Sequence, residues 1–519
     1  MSRTKQGVKN FKISFFFLGI SILLSFISRN IFIRTLGTDV MGLSSTLLNI
    51  LGFLNLAELG LTSAIAGTLY KPIYENDREK IKDIISIFGY LYRIIGIVIL
   101  VAGIVVSFFL PYFFDDSGVS LLYVYCGYYT FLSTSLIGYF ISYRQTILSA
   151  DQKEYVITRY MNIVLIVKVF LQIAVLKWMG QGYLGWLLVE LVFGIIYGFW
   201  INGAVNKQYP WLKTSYARGK EVRKEYKGLF KTIKQVIPHN FGAFVLGQTD
   251  NILIYAFSSL TAVTLYTNYV MILTRSVTVI NMSIKGLAAG FGNLVAEGNK
   301  DRIMSVFNQF NALFFILGGI IVVTFYFQTA PFVTLWLGRE FILDDFTFWL
   351  MLYVTYVGVI RLPINYFIGG YVLYKDVWAP IVEAGLNLVV SLIFGYFWGV
   401  AGVVFGTAVS LSCIVVLWKP VFLFKEGFKS SSLKYWFNFM KYVVVLLGVA
   451  FIPFVLIKND LLFSNNDFLG FVINSFAIVI IVGSIYTTIL YFIDRGTKDI
   501  LNRFGEAIFK RIIPFKSLF

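Results

Sequence analysis

A single histidine and two cysteines among 519 residues leave little with which to hold a metal or run acid-base catalysis. His239 follows Pro238 with no carboxylate placed beside it, and one imidazole cannot make a metal site. Cys126 and Cys413 lie in separate apolar stretches far apart in the chain, which gives no support to a disulfide framework and casts both as packing residues. Charge is scarce too: 14% of the residues carry it, against 58% that are hydrophobic. A soluble domain of this length needs far more polar cover, so the solvent for most of the chain is lipid. Acids are the scarcer sign, 27 against 44 bases, for a net charge of +17. In a soluble protein that excess would suggest nucleic acid. Here no nucleic-acid partner is expected, because the positive-inside rule and attraction to anionic membrane lipids account for it.

What is present is a series of apolar runs, each about 20 residues long and so able to cross roughly 30 Å of hydrocarbon as a helix. A β-barrel would show alternating segments of about ten residues instead. About fourteen spans are read, over 13–33, 43–69, 88–112, 119–142, 156–178, 183–205, 230–257, 263–290, 306–330, 346–373, 377–398, 400–424, 437–457 and 468–492. Trp178, Trp336, Trp398 and Trp418 fall near span ends, where an amphipathic ring suits the headgroup boundary. The first span follows a basic start but offers no small-residue cleavage site at Ile27-Ser28-Arg29-Asn30, and reads as an uncleaved anchor. With the N-terminus inside, most of the cations face the cytoplasm and the external turns are short and often acidic (Asp115, Asp116; Asp344, Asp345). The expectation is a multi-pass protein of the bacterial inner (plasma) membrane with both termini cytoplasmic.

The chain around Arg29 resembles the chain about 221 residues later. Ser28-Arg29-Asn30-Ile31-Phe32-Ile33 aligns with Thr249-Asp250-Asn251-Ile252-Leu253-Ile254, and Glu75 to Ile81 aligns with Glu297 to Ile303 after a one-residue shift. An even number of spans per unit predicts two six-helix lobes related by a pseudo-two-fold along the membrane normal, a transporter plan. The lobes are expected at 1–206 and 229–424, joined by a basic cytoplasmic linker at 207–228 within the most basic stretch, Lys207 to Lys234. Two further helices occupy 425–492, and 493–519 reads as an amphipathic cytoplasmic tail with Ile500, Leu501, Phe504, Ile508 and Ile512 at helical spacing.

An ionisable group inside a span costs roughly 2.5–3.5 kcal/mol, so each needs a partner, a watery cavity or a route to the interface. The candidates are Arg29, Glu58, Lys168, Glu190, Asp250, Arg275, Arg361 and Glu383, while Lys285 and Arg93 sit where they can snorkel. The repeat puts Arg29 and Asp250 at equivalent places, each followed by an asparagine, Asn30 and Asn251. Two readings stand: an ion pair that holds the lobes together, or Arg29 binding a substrate anion while Asp250 takes a coupling cation or proton. A planar guanidinium suits phosphate, and Arg275 and Arg361 would add to the same positive cavity. Glu58 is either a helix-packing acid or a cavity residue. Glycines in the second span and in the Gly286 to Gly292 stretch permit close helix approach.

Several of these segments resemble one known family. Ser28 to Gly37 (SRNIFIRTLG), Ala57 to Ile65 (AELGLTSAI), Lys71-Pro72, Gln248 to Ile254 (QTDNILI), Gly292 to Arg302 (GNLVAEGNKDR) and Arg361 to Ile368 (RLPINYFI) are similar to Wzx-type polysaccharide transporters. These belong to the multidrug, oligosaccharidyl-lipid and polysaccharide (MOP) exporter superfamily, and the likeness runs over essentially the whole chain. It implies two lobes around a cavity, alternating access, and flipping of an undecaprenyl-diphosphate-linked oligosaccharide to the outer leaflet for cell-surface polysaccharide synthesis. On that reading the protein is no enzyme and needs no cofactor beyond coupling to H+ or Na+. Arg29, Asn30, Arg275 and Arg361 would bind substrate, Asp250, Asn251 and Glu58 would serve coupling or gating, and a polysaccharide polymerase complex is a candidate partner. The rivals are a peptidoglycan lipid-precursor flippase, a cation-coupled drug exporter of the same superfamily, and an envelope polymerase or ligase. The last is disfavoured by external segments no longer than roughly a dozen residues.

Overall fold

The computed structural model describes residues 3–58, 61–180, 182–226, 229, 247–285, 288–373, 375–459 and 467–512. Among these residues the backbone is helical almost throughout and contains no strand. In chain order the principal helices are α1 (Arg3–Leu36), α2 (Thr38–Leu54), α3 (Leu61–Glu75), α4 (Arg78–Ser107), α5 (Leu121–Phe140), α6 (Glu154–Trp178), α7 (Gly182–Gln208) and α8 (247–257). They continue with α9 (Leu260–Lys285), α10 (Lys300–Trp336), α11 (Asp345–Gly370), α12 (Trp378–Trp398), α13 (Val400–Phe428), α14 (Leu433–Lys458), α15 (Phe468–Ile493) and α16 (Arg495–Ile512).

Ten of the described helices are long and apolar enough to cross a bilayer: α1 from Ile13, α4, α6, α7 and α10 to α15. The chain is an all-α, multi-pass membrane protein. Helices α5 and α9 have the length of a span but a more polar content, α5 through its tyrosines and hydroxyls and α9 through Arg275 and several Thr and Asn. The expected continuous span over 43–69 is not one helix: α2 ends at Leu54, a 3₁₀ turn covers Asn55–Glu58, and α3 starts at Leu61. Most of the span expected over 230–257 lies outside the described residues, as does His239. Arg361 interrupts α11, where Pro363 brings no N–H to the ladder.

By internal packing the chain divides into two compact units, Met1–Thr267 and Asn268–Phe519. In the first, Leu43, Leu47, Phe88, Tyr128 and Tyr183 are fully buried in one apolar core. In the second, Phe315 stacks on Tyr442 at 4.6 Å within a core that includes Val482 and Tyr486.

The two aligned loops fold alike. Asn76 and Gly298 both adopt a left-handed backbone, at φ 55° and 73°. The next residue caps a long helix in each case: Asp77 accepts from the Lys80 N–H at 3.1 Å, and Asn299 from the Arg302 N–H at 3.1 Å. Four residues on from each cap, Ile81 and Ile303 are buried.

Two of the charges expected to need partners satisfy each other. Lys168 Nζ on α6 lies 2.7 Å from Glu190 Oε1 on α7, and Gln172 Nε2 donates to Glu190 Oε2 at 2.9 Å. Lys168→Met would strand a carboxylate in the span, at a cost of about 3–5 kcal/mol, whereas replacing Lys168 by Met and Glu190 by Leu together restores most of the loss. Thermal melting in detergent distinguishes the two variants. Of the two cysteines, Cys126 is half-buried while Cys413 is exposed, so only Cys126 fits the expected packing role.

Beyond α15 the chain is pinned by Asp494, which is buried. Its carboxylate accepts from Lys441 Nζ at 2.9 Å, from the Tyr442 hydroxyl at 2.9 Å and from the Thr497 N–H at 2.8 Å, which starts α16. Burial alone would raise this carboxyl, but the Lys441 ammonium, the Thr497 N–H and the Tyr442 hydroxyl hold it below the usual aspartate value. A depressed carboxylate stabilises the fold fully above the ordinary pKa, 3.8 here, and the contribution is lost as pH falls through the folded value. Asp494→Asn is therefore expected to melt below the parent at pH 7, by about 1–3 kcal/mol of stability, with the gap closing as pH drops below 3.8.

Candidate functional site

In the first unit two candidate residues, Arg29 and Asp250, bond to the beginning of α9. Arg29, half-buried near the end of α1, donates from one guanidinium nitrogen to the Thr267 hydroxyl at 2.5 Å and to the Thr264 carbonyl at 3.5 Å. Asp250, on α8, accepts from the Tyr266 hydroxyl at 2.8 Å through Oδ2. Arg29 and Asp250, read either as an ion pair or as separate anion and cation sites, reach adjacent residues of the same helix. The Thr267 hydroxyl thus orients a cation and the Tyr266 hydroxyl an anion. Oδ1 of Asp250 is buried with no hydrogen-bond partner among the described residues. An orphaned carboxylate oxygen costs its full desolvation and marks a place where a proton or small cation would be held.

The asparagines behave differently. Asn251 donates to the Asn49 side-chain oxygen in a short contact, and Asn49 donates to Gln248 Oε1 at 3.1 Å and to the Gly247 carbonyl at 3.3 Å. Asn251 therefore ties α8 to α2 one turn from Asn49's other contacts. Asn30 is half-buried beside Arg29. Further bonds join the start of α2 to α9: Thr264 donates to the Thr38 carbonyl at 2.7 Å and Thr261 to Asp39 at 2.5 Å. Glycine is required in this contact, since a Cβ on Gly42 would stand 2.0 Å from the Leu260 carbonyl oxygen.

Glu58 occupies a second polar place in the same unit. The 3₁₀ turn Asn55–Glu58 carries its carboxylate among α3, α4 and α5, where the hydroxyls of Thr62 (2.9 Å), Tyr92 (a short contact) and Tyr139 (2.8 Å) donate to it. Asn55 Oδ1 accepts from Tyr139 at 3.0 Å and from Ser135 at 3.1 Å. Among the described residues no cation lies within ion-pair distance of Glu58. These groups line a cavity of about 400 Å³ that also reaches Gln145 and Glu154, so Glu58 is a cavity residue satisfied by hydroxyls.

Arg275 and Arg361 belong to the second unit. Arg275 is half-buried on α9. Arg361 sits at the interruption of α11, its Nε buried with no acceptor among the described residues. Its charge and that of Lys419 on α13 both act on Glu383 of α12, which is 6% exposed. Arg361 and Lys419, both half-buried, are thus two cations that bear on one buried carboxylate.

Tyr266, Thr267, Tyr92, Tyr139 and Asn49 were not read as site residues from sequence. Each lies 16 to 238 residues from the group it serves. Hydroxyls among 32 tyrosines carry no local signature.

Neither a protein-family model nor a curated protein sequence matches this chain. Solved structures do. The chain is similar to the lipid II flippase MurJ in an inward closed conformation, with a TM-score of 0.66 and 15% identity, covering 93% of this chain and 98% of that one. It is similar to a MOP-superfamily transporter from Pyrococcus furiosus, with a TM-score of 0.55, 14% identity and 83% and 98% coverage. An inward-facing multidrug resistance MATE family transporter matches with a TM-score of 0.53, 14% identity and 78% and 94% coverage. Over most of its length, this chain carries the fold seen in transporters of the MOP superfamily.

Proposed function

We propose that the protein is a flippase that moves an undecaprenyl-diphosphate-linked oligosaccharide from the cytoplasmic to the outer leaflet by alternating access. The observation that carries this reading is the seating of Arg29 in an apolar span on the Thr267 hydroxyl and the Thr264 carbonyl. A guanidinium within a span suits a diphosphate, which its planar fork can grip with two charge-assisted bonds. The reading also draws on the fold shared with a lipid flippase over 93% of the chain and on the sequence resemblance to Wzx-type transporters. In it, Asn30, Arg275 and Arg361 line the substrate path in two repeat-related lobes, Asp250 takes H+ or Na+ at its orphaned oxygen, and both termini are cytoplasmic.

A second reading, a peptidoglycan lipid-precursor flippase, is favoured by the likeness to MurJ. The two substrates share the lipid diphosphate and differ in the sugar. Depleting the protein from its host and identifying the lipid that accumulates in the inner leaflet separates them. A lipid-linked surface oligosaccharide is expected. Accumulation of the peptidoglycan precursor would establish the second reading, and no lipid-linked saccharide at all would sink both.

A further inference from the structure

An apolar groove of about 610 Å³ runs between α9, α10 and α16 in the second unit. Ile280 and Ile284 of α9, Phe310 and Leu313 of α10, and Ile500 and Phe504 of α16 form its walls, and Arg503 stands among them. The groove is held open by construction. Asp494 fixes the first turn of α16, and a Cβ on Gly496 would lie 2.6 Å from the Asn308 carbonyl oxygen, so the helix backbone rests directly on α10. Beyond that anchor, Phe504 stays 51% exposed over the groove.

Water gains nothing in so apolar a space, and leaving it empty forfeits the dispersion contacts of every wall atom. Helices of span length form two of the walls, so the natural filling is lipid hydrocarbon. Size narrows the choice. Taking a methylene as about as large as a water, roughly 30 Å³, the groove seats on the order of twenty carbons, the size of one acyl chain. Chemistry at the mouth narrows it further. Arg503 is exposed, next to Phe504 and three residues from Ile500, which puts a guanidinium where the headgroup of a lipid in the groove would lie. We propose that this groove binds one acyl chain of an acidic phospholipid with its phosphate on Arg503, making the C-terminal helix a lipid-binding element of the second unit.

Native mass spectrometry of the full chain tests this in micelles supplied with equal phosphatidylglycerol and phosphatidylcholine. The parent is expected to retain one phosphatidylglycerol. Leu313→Trp, which fills the groove, is expected to lower retention about ten-fold or more, because each excluded methylene forfeits its burial. Arg503→Ala alters an exposed residue, so the fold is kept. It is expected to hold a lipid but lose the preference for phosphatidylglycerol. Unchanged retention and preference in both variants overturns the proposal. Undecaprenyl phosphate displacing the phospholipid at equal concentration overturns its assignment to a single acyl chain.

Discussion

Arg29→Ala is expected to slow leaflet exchange of a polyprenyl-diphosphate oligosaccharide by about ten- to a hundred-fold, the worth of one or two hydrogen bonds to a charged group. Arg29→Lys keeps the charge but loses the planar fork, and is expected to fall between the two. The flanking geometry sharpens the test. Thr267 accepts from Arg29 at 2.5 Å, so Thr267→Val removes the group that aims the guanidinium while leaving its charge, and is expected to slow exchange by a few-fold. Elution profiles and melting curves of the same preparations show whether the fold is intact. Normal exchange by folded Arg29→Ala protein would make the arginine structural.

The largest effect on stability is expected where α12 turns back into α13. The chain reverses at Gly399, which has φ 56°, and the two helices then pack with almost no space between backbones. A Cβ on Gly402 would stand 1.9 Å from the Phe394 carbonyl oxygen, and one on Gly406 would stand 2.1 Å from Ser391 Oγ. Glycines four apart let helices in lipid approach this closely, and polar bonds then lock the contact. Ser391 donates to the Val403 carbonyl at 3.0 Å, and Asn387 to the Thr407 hydroxyl at 2.9 Å. Because the obstruction is backbone, Gly402→Ala is expected to cost about 3 kcal/mol or more, and Gly402→Val to yield no monodisperse protein. Gly385→Ala on α12 is the control. Nothing lies within 4 Å of its Cβ, and the gain in helix propensity is expected to stabilise by up to about 1 kcal/mol. Fluorescence-detected size exclusion and melting in detergent check all three.

The spans were readable because bilayer thickness sets their length, and hydropathy alone finds apolar runs of that length. The break at Asn55–Glu58 was not, since apolar residues surround it and the turn depends on partners supplied by Tyr92 and Tyr139 from later helices. The matched loops were legible for a local reason. A left-handed residue, an Asx cap and an isoleucine four positions on write their structure into consecutive residues, and Asn76-Asp77 and Gly298-Asn299 obey the same rule.

Charges in the spans could be found, but not their pairings. Lys168 and Glu190 are 22 residues apart, and only the rotational phase of α6 against α7 brings them to 2.7 Å. The same holds for Arg29 and Asp250. Equivalence in a repeat left open whether they pair or act apart, and the start of α9 offers each of them a hydroxyl, at Thr267 and Tyr266. Nothing in the sequence around 264–267 announces this, because Thr and Tyr are ordinary residues of a span.

The central claim is transport of a lipid diphosphate, and the direct measurement is leaflet exchange in liposomes. Purified protein is reconstituted with a fluorescent undecaprenyl-diphosphate oligosaccharide, and a membrane-impermeant quencher reports the fraction left in the inner leaflet. The account expects quenching to pass from about half of the label in protein-free vesicles toward completion with the protein. Quenching that stays at the protein-free level, in vesicles where the same preparation moves a cationic dye, would contradict it and favour a drug exporter of the same fold.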